Sequence, residues 1–369
     1  AGSAGAIVAF RDYANTFDSN SLTVSPNGSE KINGLAIDLI VSTEGESLTL
    51  VYADATKGWL IVNDGNNDAG SQVEYVAATG GTITTVCTNF KVHTFTGPGT
   101  FTVTNAGNAA GSNTVDYMVV AGGGGGGSDG GGGAGGGYRE SSGANSGGYT
   151  RSPLGACVSA LSVPATAYPI TVGGGGPGAP TSGNGTNGSN SIFSTITSAG
   201  GGRGGDKSTP CKAGANGGSG GGASRDAGGS GGAGSGNTPP VSPPQGNNGG
   251  AQPATSAADG AGGGGAGAVG SNGGSPGTDG GGPGAVGTPS DISSSTVVRA
   301  GGGGGGTDSV NTPGGGGTGG SGGGGPGGKR CVAGGAGSAN LGGGGGSGGT
   351  GAAGGQGGSG VVIIRYKFQ

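Results

Sequence analysis

The sequence predicts a fold that is mainly β in its N-terminal part and continues as a bundle of polyglycine II helices, with essentially no α-helix. Glycine provides 108 of the 369 residues, and each interior glycine costs an α-helix about 1 kcal/mol relative to alanine. Apolar and polar residues alternate in many segments of the first 120 residues, a pattern typical of half-buried strands. A short apolar segment, 361–368, directly follows the glycine-rich region.

Residues 1–64 are predicted to form a small β domain. Turn signals such as Pro26-Asn27-Gly28 separate its strands. The predicted strands are 6–10, 21–25, 35–41, 47–52 and 59–62. Trp59, the only tryptophan, is expected in the core. Because the chain starts with Ala and enters its first strand almost at once, we expect it to be a fragment of a longer chain.

Residues 71–120 are predicted to form a second β unit. Its strands are expected at 82–86, 91–96, 99–104 and 114–121. His93 lies alone on an alternating strand, which favours a structural role over metal binding. The apolar segment 361–368 should complete this unit by pairing with 115–121, since the two strands border the two ends of the glycine-rich region.

Residues 121–360 contain 94 glycines in 240 positions. Such a composition is typical of low-complexity disorder. A collagen helix is excluded because glycine does not occupy every third position through 152–172. Silk-like sheets are excluded because glycine runs have no side chains to pack. Polyglycine II helices, with three residues per turn, remain. Packed side by side, they can satisfy amides that would otherwise be orphaned at about 1–3 kcal/mol each.

The composition also excludes several functions. The net charge is −4 and no basic stripe exists, so nucleic acid is not an expected partner. The sequence contains no stretch of 18 apolar residues, so no membrane-spanning helix is predicted. The glycine motifs lack a βαβ context, and no carboxylates pair for general acid–base chemistry. We therefore expect no enzymatic activity and no cofactor.

The cysteines do not predict a metal site. The four residues are Cys87, Cys157, Cys211 and Cys331, which are far apart and form no CxxC motif. One or two disulfides between loops and four reduced thiols are both compatible with the sequence.

An ordered series of motifs resembles a known family. The motifs are YMVVAGGG at 117–124, YPITVGGG at 168–175, GSNSIF at 188–193, AGGGRGG at 199–205 and GVVIIRY at 360–366. In this order they resemble the glycine-rich domain of bacteriophage tail fibres, and residues 93–95 and 99–103 fit its β lead-in. Residues 1–62 resemble a small β repeat in fibres of phages that infect cyanobacteria and other marine bacteria.

The resemblance implies a function. In the tip adhesins of some T-even-type phages, polyglycine II helices form a sandwich whose loops contact the host receptor. By resemblance, this chain would be a receptor-binding tail-fibre protein of the virion. Its partners would be a bacterial surface receptor and other virion tail proteins, and it would be a homotrimer. A purely structural fibre spacer is the main alternative. A signalling ectodomain or an ice-binding protein is a third, although irregular loops disfavour the flat face that ice binding needs.

The loops between the glycine runs carry most charged and aromatic side chains of this region. Tyrosine and arginine are typical of binding hot spots, although such loops can also serve only to turn the chain and keep it soluble. The candidate receptor-binding residues are Tyr138, Arg139, Tyr149, Arg151, Arg203, Asp206, Lys207, Asp308 and Asn311. Because the first glycine run, 122–137, leaves the β unit, we expect the loop 138–152 at the end remote from that unit, beside 203–212 and 307–313.

Overall fold

The computed structural model describes residues 2–64, 71–207, 212–225, 232–252, 259–274, 280–308 and 315–369. Contacts divide the chain into two compact units, one of residues 1–77, 104–113 and 368–369, the other of residues 78–103 and 114–367. Within the described part the only helix is a 3₁₀ turn, Pro153–Gly155. This confirms a mainly β fold with essentially no α-helix. None of the described helices is long and apolar enough to cross a membrane.

The first unit is built from short antiparallel strands. They are β1 (Ile7–Arg11), β2 (Leu22–Val24), β3 (Leu39–Val41), β4 (Ser47–Asp54), β5 (Gly58–Asp64) and β6 (Ser71–Gln72). The strands form two sheets, ordered β1-β4-β5 and β2-β3-β6. The buried core consists of Ile32, Leu39, Val41, Leu48 and Leu50. Trp59 is partly buried and packs against this core.

The remaining thirteen described strands follow along the chain from Val76. They are β7 (Val76–Thr79), β8 (Thr82–Val86), β9 (Phe90–Phe95), β10 (Gly99–Ala106), β11 (Thr114–Val120), β12 (Tyr138–Glu140), β13 (Leu161–Ser162), β14 (Ala167–Thr171), β15 (Ser191–Phe193), β16 (Ile196–Ser198), β17 (Thr288–Ser290), β18 (Val297–Arg299) and β19 (Val361–Lys367). One sheet has the order β16-β15-β14-β10-β7. Another has the order β12-β11-β19-β9-β8, with β13 also paired to β11, and β17 and β18 form a hairpin.

The C-terminal strand closes the second unit. β19 pairs antiparallel with β11, and Val120 lies opposite Val361 at the glycine-rich end of the pair. This confirms the pairing predicted from the sequence. On the other side β19 pairs with β9, where buried His93 bonds the Gly80 carbonyl and the Tyr366 hydroxyl through its two ring nitrogens.

Between β11 and β19 the described chain forms glycine-rich segments that hydrogen-bond to one another rather than along themselves. They cover 121–127, 130–137, 173–179, 185–190, 199–205, 213–217, 218–224, 232–237, 246–251, 260–265, 268–273, 281–287, 300–307, 315–321, 323–328, 334–338, 342–348 and 353–360. We call this assembly the glycine lattice and its segments glycine helices.

The hydrogen bonds of the lattice repeat every three residues. In helix 121–127, the amides of Gly122 and Gly125 donate to Ser189 and Thr186 of one neighbour. The amides of residues 123 and 126 donate to a second neighbour, and those of residues 124 and 127 to a third. Three further helices donate to the carbonyls of this segment at the same three-residue spacing. Three residues per turn is the period of polyglycine II, so each turn bonds neighbours in six directions.

Six glycine helices have neighbours on all six sides and form the centre of the lattice. They are 121–127, 130–137, 218–224, 260–265, 300–307 and 342–348. The other helices surround them as an edge ring. At most central glycines an added Cβ would overlap a neighbouring backbone carbonyl, as at Gly303 with Gly345. Close backbone approach therefore replaces side-chain packing in this core.

Successive glycine helices run in opposite directions, so their connections fall at two ends. At the sheet end, β11 leads into the lattice, helix 130–137 leads out into β12, and helix 353–360 leads out into β19. At the opposite end, which we call the loop end, the described residues are 128–129, 180–184, 206–207, 225, 252, 259, 274, 280, 308, 329–333 and 349–352.

Candidate binding surfaces at the two ends of the glycine lattice

The segment 138–152 lies at the sheet end. Tyr138–Glu140 pairs antiparallel with Met118–Val120, and the Ser141 amide donates to the Tyr117 carbonyl at 3.0 Å. The prediction that this loop is remote from the β unit is therefore wrong. The reason is a turn at Ser128 and Asp129 inside the run 122–137. It makes the run two antiparallel helices instead of one.

A buried carboxylate joins this segment to the hairpin of β17 and β18. Glu140 is 1 % exposed. It accepts hydrogen bonds from the Tyr138 hydroxyl at 2.9 Å, the Ser152 amide at 3.0 Å and the Ser290 hydroxyl at 2.5 Å. Burial raises the pKa of Glu140 above its usual 4.5 despite these donors. Burial also raises the pKa of Tyr138 well above its ordinary value, with the Glu140 charge adding to the effect.

A second buried carboxylate fixes the middle of the segment. Asp116 accepts hydrogen bonds from the hydroxyls of Ser141 and Ser146, each at 2.6 Å. The buried guanidinium of Arg365 lies over the Tyr149 ring, 5.1 Å from its centroid, and its Nε donates to the Ser146 carbonyl at 3.0 Å. Through these contacts, Asp116 and Arg365 of the sheet hold the segment 138–152 in place.

The four candidates in this segment are therefore differently placed. Tyr138 and Tyr149 are buried, at 1 % and 9 % exposure, so the expectation that they contact a ligand from an exposed tip is wrong. Arg139 is half-buried and Arg151 is exposed.

The loop end is organised around a buried arginine. Arg225 is 2 % exposed, and its Nη2 atom lies 2.6 Å from Asp129 Oδ2. Its Nη1 atom lies 3.1 Å from Asp308 Oδ2. The Thr350 hydroxyl donates to Asp308 Oδ1 at 2.5 Å, and Arg330 Nε lies 3.9 Å from the same oxygen. The hydrogen bond from Thr350, and then the Arg225 charge, hold the pKa of Asp308 below its usual 3.8.

The described remaining candidates, Arg203, Asp206 and Lys207, lie at or near this end. Asp206 is fully buried and accepts a hydrogen bond from the Ser128 hydroxyl at 2.5 Å, whereas Lys207 is half-buried. Arg203 lies on the edge helix 199–205 and is half-buried. Asn311 lies outside the described residues. The structure thus brings Asp206, Lys207 and Asp308 to the end remote from the sheet, as the sequence predicts.

Of the charged residues that organise the loop end, sequence reasoning selected Asp308 but not Arg225 or Asp129. Arg225 and Asp129 lie inside or beside glycine runs, and only their contacts reveal their role. Lys329 and Arg330 are also exposed at this end, and they are not among the candidates. Their adjacency in an otherwise uncharged stretch is the signal that could have identified them.

Neither end has a set of ligands for a metal ion in the part of the chain that the structure describes. No three His, Cys, Asp or Glu side chains there are close enough to hold a metal ion. Cys87, Cys157 and Cys331 are free and exposed, and Cys211 lies outside the described residues. What the two ends offer is a set of rigidly held polar side chains, which suits binding.

Comparison with known proteins agrees with this architecture. The family model described as a glycine-rich domain matches residues 94–367, which span β10 to β19 and the whole lattice between them. No curated protein matches the chain. The chain is therefore a member of the glycine-rich domain family.

Proposed function

We propose that this protein is a phage tail-fibre adhesin that binds the host bacterial surface through the loop end of its glycine lattice. It acts without catalysis, as part of the virion, together with other tail proteins and in a homotrimer. The segment 138–152, which the sequence favoured as the tip, has a structural role on the sheet.

The observation that carries the proposal is that Asp129 and Asp206 are held in internal contacts at the loop end, whereas the neighbouring Lys329 and Arg330 are left exposed. The carboxylates of Asp129 and Asp206 are bound to Arg225 and Ser128, while Lys329 and Arg330 are exposed. The glycine helices fix both ends of each connection by backbone hydrogen bonds. A ligand would therefore bind with little loss of loop entropy, a general source of affinity.

A structural spacer is the second candidate, and a specific observation favours it. Arg225 links Asp129 to Asp308, so the connections at 128–129 and 308 are tied to each other. In a spacer these contacts would hold the lattice end together, and the exposed bases would serve solubility alone.

Adsorption of the purified chain to a panel of bacterial surfaces separates the two candidates. The test variant combines Lys329→Ser and Arg330→Ser at the loop end, and the matched control is Arg151→Ser, an exposed arginine at the sheet end. The adhesin proposal predicts at least about a tenfold loss of adsorption in the test variant, since interfacial arginines are often hot spots. The control should adsorb like the parent.

Two results would count against the adhesin. Adsorption to no surface in the panel favours the spacer, and equal adsorption of the parent and the test variant removes the loop end as the binding surface. Melting curves for each variant confirm that any loss does not come from unfolding.

A further inference from the structure

The first unit buries a glutamate that makes no hydrogen bond through its carboxylate. Glu46 is 6 % exposed, and neither of its carboxylate oxygens has a hydrogen-bond partner among the described residues. Carboxylates are rarely buried unless a hydrogen-bond donor or a positive charge compensates the loss of water. This position therefore needs a partner that the described side chains do not supply.

Strand β4 directs this side chain into the unit. Glu46 directly precedes β4, in which Leu48 and Leu50 are buried and Ser47 is exposed. Alternate residues of a strand face the same side of a sheet, so Glu46 continues the inner face that carries Leu48 and Leu50. Its carboxylate therefore lies at the end of the side-chain core.

A second buried acid lies directly opposite. Arg11 of β1 pairs with Ser47 of β4, and Asp12 and Glu46 extend this pair by one position. The Asp12 amide donates to the Glu46 carbonyl at 2.8 Å, and Asp12 is 3 % exposed. Directly opposed residues have Cβ atoms about 4.5–5.5 Å apart, and like charges at such positions are destabilising. Two buried carboxylates thus share one side of the sheet.

Backbone amides fix the Asp12 carboxylate without neutralising it. Its Oδ2 atom accepts the amides of Thr16, Phe17 and Gly45 at 2.8, 3.0 and 3.1 Å. A carboxylate offers about four lone-pair positions in all, so Oδ1 keeps capacity for a further partner. The side-chain oxygen of Asn15 lies 3.2 Å from the position that a Cβ on Gly45 would occupy. Together with the glutamate that follows Gly45, three side chains bring oxygen atoms to this turn.

The basic side chains of the unit do not compensate the two acids. Residues 1–77 contain ten acidic and three basic side chains, and the basic ones are Arg11, Lys31 and Lys57. Arg11 is exposed and, as the neighbour of Asp12, faces the other side of the sheet. Lys31 and Lys57 lie at the opposite end of the sheet, near the turn between β4 and β5, where the Lys31 carbonyl accepts the Trp59 amide. The charge balance of the unit therefore favours an added cation.

The oxygen atoms at this turn suit calcium. Ca²⁺ takes about six to eight oxygen ligands from carboxylates, amide and backbone carbonyls and water, and it accepts both oxygens of one carboxylate. Mg²⁺ demands a tighter octahedron and usually keeps several waters, which a buried carboxylate admits less readily. Only two side chains here are acidic, so neutral carbonyl oxygens and water must complete the coordination.

We propose that Glu46, Asp12 and Asn15 form a calcium site at the end of the β1–β4 pair. The ion would neutralise the opposed carboxylates and join the turn after β1 to the turn before β4. It would thereby hold this end of the first unit together. The inference does not depend on the proposed adhesin function, because the site lies in the first unit and not in the glycine lattice.

Trp59 provides a signal from the unit that holds the site. It is the only tryptophan of the chain and packs against the core of the first unit, so its fluorescence during heating reports the unfolding of that unit. The full chain is stripped of metal with a chelator and melted with and without CaCl₂. Calcium at about 100 times its dissociation constant should raise the melting midpoint by about 5 °C or more. Calorimetric titration should give one bound ion per chain.

Glu46→Gln tests the site by removing one charge with little change of shape. The variant should lose the calcium-induced shift, and without calcium it should melt above the parent because two carboxylates no longer oppose each other. The matched control is Glu44→Gln, an exposed acid two residues away, which should shift like the parent. A second variant, Asn15→Gly, tolerates the positive φ of 53° at this position and should bind calcium about tenfold more weakly.

Three results would overturn the proposal. A parent whose melting midpoint does not respond to calcium up to millimolar concentration would mean that Glu46 is buried as the neutral acid. A calcium-induced shift that persists in folded Glu46→Gln would place the ion elsewhere. An equal shift with MgCl₂ would contradict the choice of calcium.

Discussion

The N-terminal β unit and the glycine lattice each have a packed core, but the first core is made of side chains and the second of backbone. The first buries the side chains of residues such as Ile32, Leu48 and Leu50 between short strands. This burial removes their apolar surface from water. In the second, the central helices bury backbone and few side chains, and most of their amides donate to a carbonyl on a neighbouring helix. The contrast teaches that a protein core needs close packing and satisfied polar groups, and that side chains are one way among others to provide them.

The contrast also predicts opposite tolerance to mutation. In a side-chain core, a smaller residue leaves a cavity. In a backbone core, a larger residue separates helices and orphans amides. The predictions below test this difference, from the largest expected effect to the smallest.

Gly303→Val in the central helix 300–307 should be the most damaging change. Its Cβ would overlap the Gly345 carbonyl, so neighbouring helices must move apart. Overpacking plus several orphaned amides should cost about 5 kcal/mol or more of unfolding free energy. The control is Gly174→Val on an edge helix, where a Cβ meets nothing within 4 Å and the cost should stay within about 0.5 kcal/mol. Equal melting temperatures for the two variants would argue against a close-packed lattice.

Leu48→Ala should destabilise the first unit by about 3 kcal/mol, because Leu48 is 2 % exposed in the side-chain core. Leu35→Ala, at a site that is 42 % exposed, is the control and should change little. Hydrogen exchange resolves the region affected. Amides of β4 should lose protection while those of helix 121–127 keep theirs, and loss in both regions would show that the two cores unfold together.

The two ends of the lattice should respond oppositely to pH. The pKa of Asp308 lies below 3.8 when folded, so its stabilisation is present above pH 3.8 and is lost as pH falls through the folded value. The pKa of Glu140 lies above 4.5 when folded, so stability decreases as pH rises from 4.5 through the folded value. Unfolding free energy against pH, compared with Asp308→Asn and Glu140→Gln, should show difference curves of opposite slope. Curves of the same slope would contradict one of these two directions. Partial exposure of Asp308 keeps its effect well below that of a core substitution.

Asn187→Ala should have the smallest effect, about 0.5 kcal/mol. It removes the acceptor of the Arg203 amide, but this edge amide can bond water instead. The measurement is local hydrogen exchange at Arg203, which should accelerate while the melting temperature hardly changes. A large drop in melting temperature would mean that the edge caps hold the lattice together more than its interior does.

Much of the fold could be predicted from local sequence. The strands at 82–86 and 99–104 are recognisable from alternation and turn residues, and the structure has them at Thr82–Val86 and Gly99–Ala106. The pairing of β11 with β19 followed from two apolar strands bordering one insertion. The candidate surface was less predictable, since the end at which a loop lies depends on how many helices precede it.

The turn at Ser128 and Asp129 illustrates that limit. Asp129 adopts a φ of 55°, and two non-glycine residues suffice to reverse the chain and exchange the ends of every later helix. Ser271 and Ser347 lie inside glycine helices without reversing the chain, whereas the chain reverses directly after Ser321, so composition alone cannot count helices. Pro283 and Val286, three residues apart and both exposed in helix 281–287, show a spacing that sequence analysis could have used to mark an edge helix.

The sequence by itself determined that this chain avoids α-helix, that its first part forms strands and that its glycine runs pack as polyglycine II. These properties follow from backbone entropy and hydrophobic periodicity, which act over a few residues. Only the tertiary structure decided which helices are central, that Tyr138 and Tyr149 are buried on the sheet, and that Arg225 joins Asp129 and Asp308 at the loop end. Glycine backbones carry no side chains to distinguish one neighbour from another, so the lattice position of each helix is fixed by the connections and contacts of the whole assembly.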